Sequence, residues 1–222
     1  MDTPSRPIVV LLATTSRDKL REIRDLLADA PITMLSLADL PPVPEPEETG
    51  TTFAANARLK AEYYDGHLRA PAATRVAGTG TLPATVITVA EDSGLEVDAL
   101  GGDPGIRSAR FVRSGAPYEE RFAEIFRRLD ARPDAPRTAR YVCALSAVLD
   151  GRPVFDAEGR VEGTIASRAA GSGGFGYDPI FYYPPYGATF GEVSAEAKRR
   201  VSHRTRAFAA FVEWLRARDF RG

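Results

Sequence analysis

Lysine is nearly missing from this chain. Of its 29 basic residues only Lys19, Lys60 and Lys198 are lysine, so a chain of 222 residues writes arginine 26 times. Cysteine occurs once, at Cys143 inside the apolar run YVCALSAVL, which excludes an intrachain disulfide and points to a small packing residue. No apolar run reaches the ~18 residues a membrane-crossing helix needs. The opening MDTPSRPIVVLLATTSR lacks the charged, apolar and cleavage regions of a signal peptide, so the cytoplasm is the expected compartment. The formal charge of −1 argues against a stable complex with a nucleic-acid backbone, which calls for a clear basic excess. Also lacking are the G-x-x-x-x-G-K-[ST] phosphate loop, the G-x-G-x-x-G dinucleotide fingerprint, zinc-ligand spacing and a G-x-S-x-G elbow.

The patterning present is that of a single α/β domain over residues 1–222. IVVLLAT (8–14) is a strand-length apolar run of the kind buried on both faces. TSRDKLREIRDLLADA then sets Leu20, Ile23 and Leu27 on one helical face, with Ser16 or Asp18 as N-cap. A strand, a polar turn and a helix therefore place backbone N–H groups and the positive helix end beside Thr14, Thr15 and Ser16, where phosphate is favoured. ITMLSL (32–37) reads as a second strand, followed by the acidic loop PPVPEPEETG. Thr51 or Thr52 caps a helix that makes Asn56, the one asparagine of the chain, and Lys60 i,i+4 neighbours. Residues 65–84, rich in Gly and Pro, read as a loop that can include part of a hairpin.

TVITVA (85–90) is a β-branched strand, and EDSG reads as the polar segment at its carboxyl end, where open α/β sheets place ligands. Phe122, Ile125, Phe126 and Leu129 follow helical spacing. RYVCALSAVLDG, RPVFDAEG and RVEGTIA read as three strands, with DG and EG as turns. At the C-terminal end Phe208, Phe211, Val212 and Leu215 define an amphipathic helix capped by Ser202, with His203 and Arg204 in its first turn.

Three groups of residues carry chemistry, each beside a plainer reading. The three lysines suit tight phosphate contacts, where a compact ammonium and a planar guanidinium are not interchangeable; or lysine is simply rare. Glu91 and Asp92, with Glu45, Glu47 and Glu48 in the acidic loop, can hold Mg²⁺ and orient or deprotonate a water; or the loop is solvated and EDSG is a turn. GGFGYD (173–178) offers close backbone approach and the flat rings of Phe175 and Tyr177 for a base, with Asp178 to hydrogen-bond a donor edge; or it is a turn into a core strand.

Taken in order, VVLLATTSRDKLREI, EETGTTFAANARLKA, EDSGLEVDALGGDPGIRSARF, GGFGYDPIF and SAEAKRRVSHR resemble the inosine triphosphate pyrophosphatase family across about residues 8–215. The resemblance implies an elongated, two-lobed α/β protein with a central mixed sheet flanked by helices, a substrate cleft between the lobes, and a homodimer. It implies a Mg²⁺-dependent hydrolase releasing pyrophosphate from ITP, dITP or XTP. Carried over by position, Thr14, Thr15, Ser16, Lys19 and Lys60 bind the polyphosphate; Glu47 and Asp92 bind metal, with Asp92 also the catalytic residue; Ser93 contacts substrate. Phe175, Gly176, Tyr177 and Asp178, with Lys198, His203 and Arg204, enclose the base.

Some positions depart from the family pattern. Thr15 and Ser16 replace a Gly and an Asn, Glu91 replaces an Asp, Thr205 replaces a Gly, and the 65–84 segment is long. Those at the first turn leave room for a pyrimidine or modified-base preference, and the KRRVSHR cluster for a non-catalytic nucleotide- or RNA-binding module.

Overall fold

A computed structural model describes residues 8–69, 75–76, 80–81 and 85–218. Strands β1 (Ile8–Leu12), β2 (Ile32–Ser36), β5 (Val86–Val97), β6 (Thr138–Leu149), β7 (Arg152–Ile165), β8 (Phe181–Tyr183) and β9 (Ala188–Thr189) form one seven-stranded sheet in the order β2-β1-β5-β6-β7-β8-β9. β1 pairs in parallel with β2 and β5, whereas β8 pairs antiparallel with β7 and β9, so the sheet is mixed. The helices are α1 (Arg17–Leu26), α2 (Phe53–Arg69), α3 (Tyr118–Asp130), α4 (Ala195–Val201) and α5 (His203–Arg216). The chain divides into two compact units. The first holds the residues up to Asp92, Ala144–Glu158 and those from Ala207 onward; the second holds Ser93–Cys143 and Gly159–Arg206.

In the first unit β1 is flanked by strands on both sides and Val10, Leu11 and Leu12 are buried, as a continuous apolar run requires. Ser16 caps α1 by accepting from the Lys19 amide, and Ile23 and Leu27 fix its buried face. Thr52 accepts from the Ala55 amide at the start of α2. That helix runs beyond its expected end: residues 65–69, read as loop, are its last turns. Beyond it Arg75–Val76 (β3) pairs antiparallel with Gly80–Thr81 (β4), a hairpin, and the remaining residues of 70–84 lie outside the described residues.

The extra helical turns carry a buried carboxylate. Asp65 is fully buried and accepts from Arg69 through Nε at 2.7 Å and Nη2 at 3.1 Å, from Thr88 Oγ1 at 3.3 Å and from the Gly151 amide at 2.9 Å. It ties α2 to β5 and to the turn between β6 and β7. Asp65→Ala strands these donors, and urea denaturation should show a loss of about 3 kcal/mol.

In the second unit the core joins Leu95, Phe111, Ile125, Tyr141, Phe181 and Phe190, with α3 contributing the Phe122, Ile125 and Leu129 face. Two expectations change here. β5 does not end at Ala90 but continues through EDSG to Val97, so Glu91 and Asp92 are strand-interior residues. RPVFDAEG and RVEGTIA are one strand, β7, and EG is no turn. Gly159 continues the extended backbone without a left-handed dihedral, so the dipeptide reads as a turn only in isolation. Cys143 is buried in β6.

Candidate active site

Buried acids in a strand need cations, and the first unit supplies two of the chain's three scarce lysines. Lys19 Nζ lies 3.0 Å from Glu91 Oε1, with the Glu91 side chain 1% exposed. Lys60 Nζ lies 2.8 Å from Glu48 Oε1 and 3.5 Å from Asp92 Oδ1. Asn56, fully buried, donates to Asp92 Oδ2 at 3.1 Å and accepts from the Gly50 amide at 2.8 Å, which anchors the acidic loop to α2. Asn56 and Lys60 reach one carboxylate because i,i+4 residues share a helix face.

The electrostatics follow from burial set against charge. Burial pushes the Asp92 pKa up, Lys60 and Lys19 oppose it, and the balance stays raised, so Asp92 is more basic than an ordinary carboxylate. Burial pulls Lys60 down, but Asp92, Glu48 and Glu91 outweigh it and its pKa is raised. Lys60 therefore remains an ammonium.

Thr14, Thr15 and Ser16 form the turn before α1. The Ser16 amide donates to Thr14 Oγ1 at 3.2 Å, and Thr15 is exposed. Glu47 is also exposed, while its neighbour Glu48 turns to Lys60. Adjacent loop glutamates are alike in sequence, and nothing there tells which one is committed to a lysine.

In the second unit the site is organised by Asp178, 1% exposed. Its carboxylate accepts from the Phe175 amide at 2.8 Å, Tyr141 Oη at 3.2 Å and Lys198 Nζ at 2.6 Å. The turn around it is tight: Gly174 has φ +67°, and a Cβ there would sit 2.0 Å from Asp178 Oδ2. Gly176, at φ +70°, has the same left-handed requirement.

Phe175 is half-buried, with Lys198 Nζ 4.7 Å and Arg204 Cζ 5.6 Å from its ring centre. Arg204, 1% exposed, donates to Ser93 Oγ at 3.2 Å, and His203 stacks on Tyr141 at 4.8 Å. Ser202 accepts from the Thr205 amide as the cap of α5, and its own amide closes α4 onto the Lys198 carbonyl. Two helices meeting at one serine thus bring Lys198, His203 and Arg204 together.

Three expectations are adjusted by this geometry. Lys198 meets Asp178, so the three lysines do not share one role: Lys19 and Lys60 serve the strand carboxylates. Tyr177 offers no flat surface to a base; it is 3% exposed, its hydroxyl donates to the Ser108 carbonyl at 2.9 Å, and its ring packs in the core. KRRVSHR is not an open basic patch, since Lys198, His203 and Arg204 are buried and exposed Arg200 pairs with Glu196 at 2.6 Å. Tyr141 was missed from sequence, and Glu48 stood only among the loop glutamates able to hold Mg²⁺, not as the partner of Lys60. Glu48 carries no distinguishing signal, and Tyr141 sits in an apolar run like any other core aromatic.

An open mixed α/β sheet bearing a buried lysine–carboxylate set in one unit and an aspartate-pinned aromatic turn in the other belongs to a defined class. The chain is a member of the Ham1 family, whose model matches residues 10–214. It is 40% identical over 204 residues to the dITP/XTP pyrophosphatase of Geobacillus kaustophilus, covering 92% of each chain. Among solved structures it is similar to a HAM1 protein from Coxiella burnetii, with TM-score 0.78 and 31% identity over 95% of this chain and 100% of that one. It is also similar to a nucleoside-triphosphatase, or dITP/XTP pyrophosphatase, from Mycobacterium abscessus, with TM-score 0.69 and 37% identity over 94% of this chain and 100% of that one. Among the described residues no helix is long and apolar enough to cross a membrane.

Proposed function

We propose that this protein hydrolyses non-standard purine nucleoside triphosphates, dITP, ITP and XTP, to the monophosphate and pyrophosphate. The observation that carries the reading is the buried Lys19–Glu91 and Lys60–Asp92 arrangement on a chain 40% identical to a dITP/XTP pyrophosphatase. Lys19, Lys60 and the turn Thr14–Thr15–Ser16 serve the phosphates. Ser93, Phe175, Gly176, Asp178, Lys198, His203 and Arg204 serve the base and its surroundings, with Tyr177 holding their turn from beneath.

The donor set bears on the metal. Among the described residues no group of three Asp, Glu, His or Cys side chains forms a ready metal cage. The side chains gathered around Lys60 are carboxylates, and Mg²⁺ is commonly held by one or two carboxylates together with water and substrate phosphate. Carboxylates of this kind suit Mg²⁺; Asp92, together with Glu47 as the family resemblance assigns it, would be the protein ligands. When bound, the ion neutralises phosphate charge.

Asp92, made basic by burial, positions a water and takes its proton as the oxygen attacks the α-phosphorus. The α–β bridging bond breaks and pyrophosphate leaves with the bridging oxygen. The Lys19 and Lys60 ammoniums offset the charge that builds up on the phosphates. Arg204, as a donor, suits the keto oxygen of hypoxanthine or xanthine, whereas adenine presents an amino group there. A mismatched buried donor costs roughly 1–3 kcal/mol. The enzyme acts as a cytoplasmic homodimer, and molar mass measured by light scattering checks the dimer.

Hydrolysis of dITP in heavy-oxygen water tests the chemistry. The label should appear in dIMP and not in pyrophosphate, and EDTA should abolish turnover until Mg²⁺ is restored. Label in pyrophosphate, or release of single phosphate, sinks the proposal.

A further inference from the structure

On the α3 face toward Tyr177 an arginine flanks the apolar stripe and is buried with it. Tyr118, Arg121 and Phe122, at i, i+3 and i+4, share that face, and Arg121 is 5% exposed. Its guanidinium lies 4.5 Å over the Tyr118 ring and donates through Nη1 to the Ser108 carbonyl at 3.2 Å. Tyr177 Oη donates to the same carbonyl, and the Tyr177 ring meets Tyr118 edge-on at 5.3 Å and Phe122 at 6.1 Å. Among the described residues Arg121 makes no ion pair, and its buried Nε has no hydrogen-bond partner. Burial raises the Tyr177 pKa, and the positive charge and hydrogen bond of Arg121 oppose that rise.

A buried arginine without a counter-ion is a poor way to stabilise a fold, because one carbonyl and one aromatic face offset only part of its lost hydration. An apolar side chain would fill the position at less cost. What the arginine does provide is a rigid link: its fork and the Tyr177 hydroxyl converge on one carbonyl. Tyr118 meets the turn through its edge-on contact with Tyr177, and its hydroxyl stands on the side of Gly176 where a Cβ would lie 3.6 Å away. Gly176 and Tyr177 lie between Phe175, under the two cations, and Asp178, which holds one of them.

We propose that Arg121, together with Tyr118, is a positioning and specificity-determining element that sets the Phe175–Asp178 turn from behind. The inference rests on the reading of that turn as the base-holding element. Arg121 does not touch substrate; it fixes where the Phe175 face and the Asp178 carboxylate stand.

The test compares Arg121→Met, Tyr118→Phe and Phe175→Ala with the parent protein, recording kcat and KM for dITP and dATP and the melting temperature. Arg121→Met should raise KM for dITP about tenfold with kcat within about threefold, the signature of lost binding rather than lost chemistry. The preference for dITP over dATP should narrow with it. Tyr118→Phe, which keeps the ring and so the fold, should move KM the same way by a smaller factor, and decides the matter if Arg121→Met does not fold. If Phe175→Ala raises KM while Arg121→Met and Tyr118→Phe lower only the melting temperature, the positioning role is wrong and the base-turn reading stands. If Phe175→Ala also leaves KM unchanged, both fall.

Discussion

Asp92→Asn should lower kcat on dITP by about a thousandfold while the protein remains folded, within the range that loss of a general base commonly costs. Asparagine keeps the shape of the side chain and one carboxyl-type oxygen for the Asn56 amide, which Asp92 accepts at 3.1 Å. It cannot take a proton from water, and it leaves the Lys60 ammonium with Glu48 as its remaining close carboxylate. Single-turnover kinetics read the chemical step, and a melting curve alongside separates it from unfolding. A folded Asp92→Asn protein that retains more than about a tenth of the parent rate would remove Asp92 from the role of base.

Lys198→Met should unfold more readily than the parent protein, by about 3–5 kcal/mol, because it removes an ammonium held against the buried Asp178 carboxylate. The two side chains are 5% and 2% exposed at 2.6 Å, so solvent does little to replace the missing charge. Lys198→Arg restores charge but must place a planar fork where a point ammonium stands over Phe175. It should recover most of the stability and still bind dITP about tenfold more weakly. Chemical denaturation and KM, measured on both variants, separate charge from shape. Equal KM for Lys198→Arg and the parent would mean that lysine is not required there.

Much of the fold was visible in the pattern of residues for local reasons. IVVLL is apolar on both faces and is a buried strand; Ser16 and Ser202 stand before amphipathic runs and cap helices. Where the reading failed, tertiary partners overrode the local signal. Two acidic residues after a β-branched run resemble the end of a strand, but β5 carries them inside because Lys19, Lys60 and Asn56 converge on them from two helices. Helix α2 outruns its expected end because Asp65 is satisfied by Thr88 and Gly151, neither of them a local neighbour.

The candidate site shows the same division. Lysine scarcity marked Lys19, Lys60 and Lys198 as unusual, and each proves to hold a buried carboxylate. It did not separate the two that serve the β5 acids from the one that serves Asp178, since side-chain type does not reveal the partner. Phe175 and Tyr177 stand two residues apart on a glycine-rich turn and were alike as ring surfaces. Backbone at Gly176 in the left-handed region and the Ser108 carbonyl send Tyr177 into the core and leave Phe175 half-exposed. Arg121 gave no signal at all, because an arginine beside a helical apolar stripe ordinarily reads as solvated.

The most direct test of the central claim is the ratio of kcat/KM for dITP and XTP to that for ATP and a pyrimidine triphosphate, scored by pyrophosphate released in the presence of Mg²⁺. A keto-selective site predicts that dITP and XTP exceed ATP by about a hundredfold or more, with one pyrophosphate for each monophosphate. Equal kcat/KM across the nucleotides, or faster turnover of the pyrimidine, would contradict it.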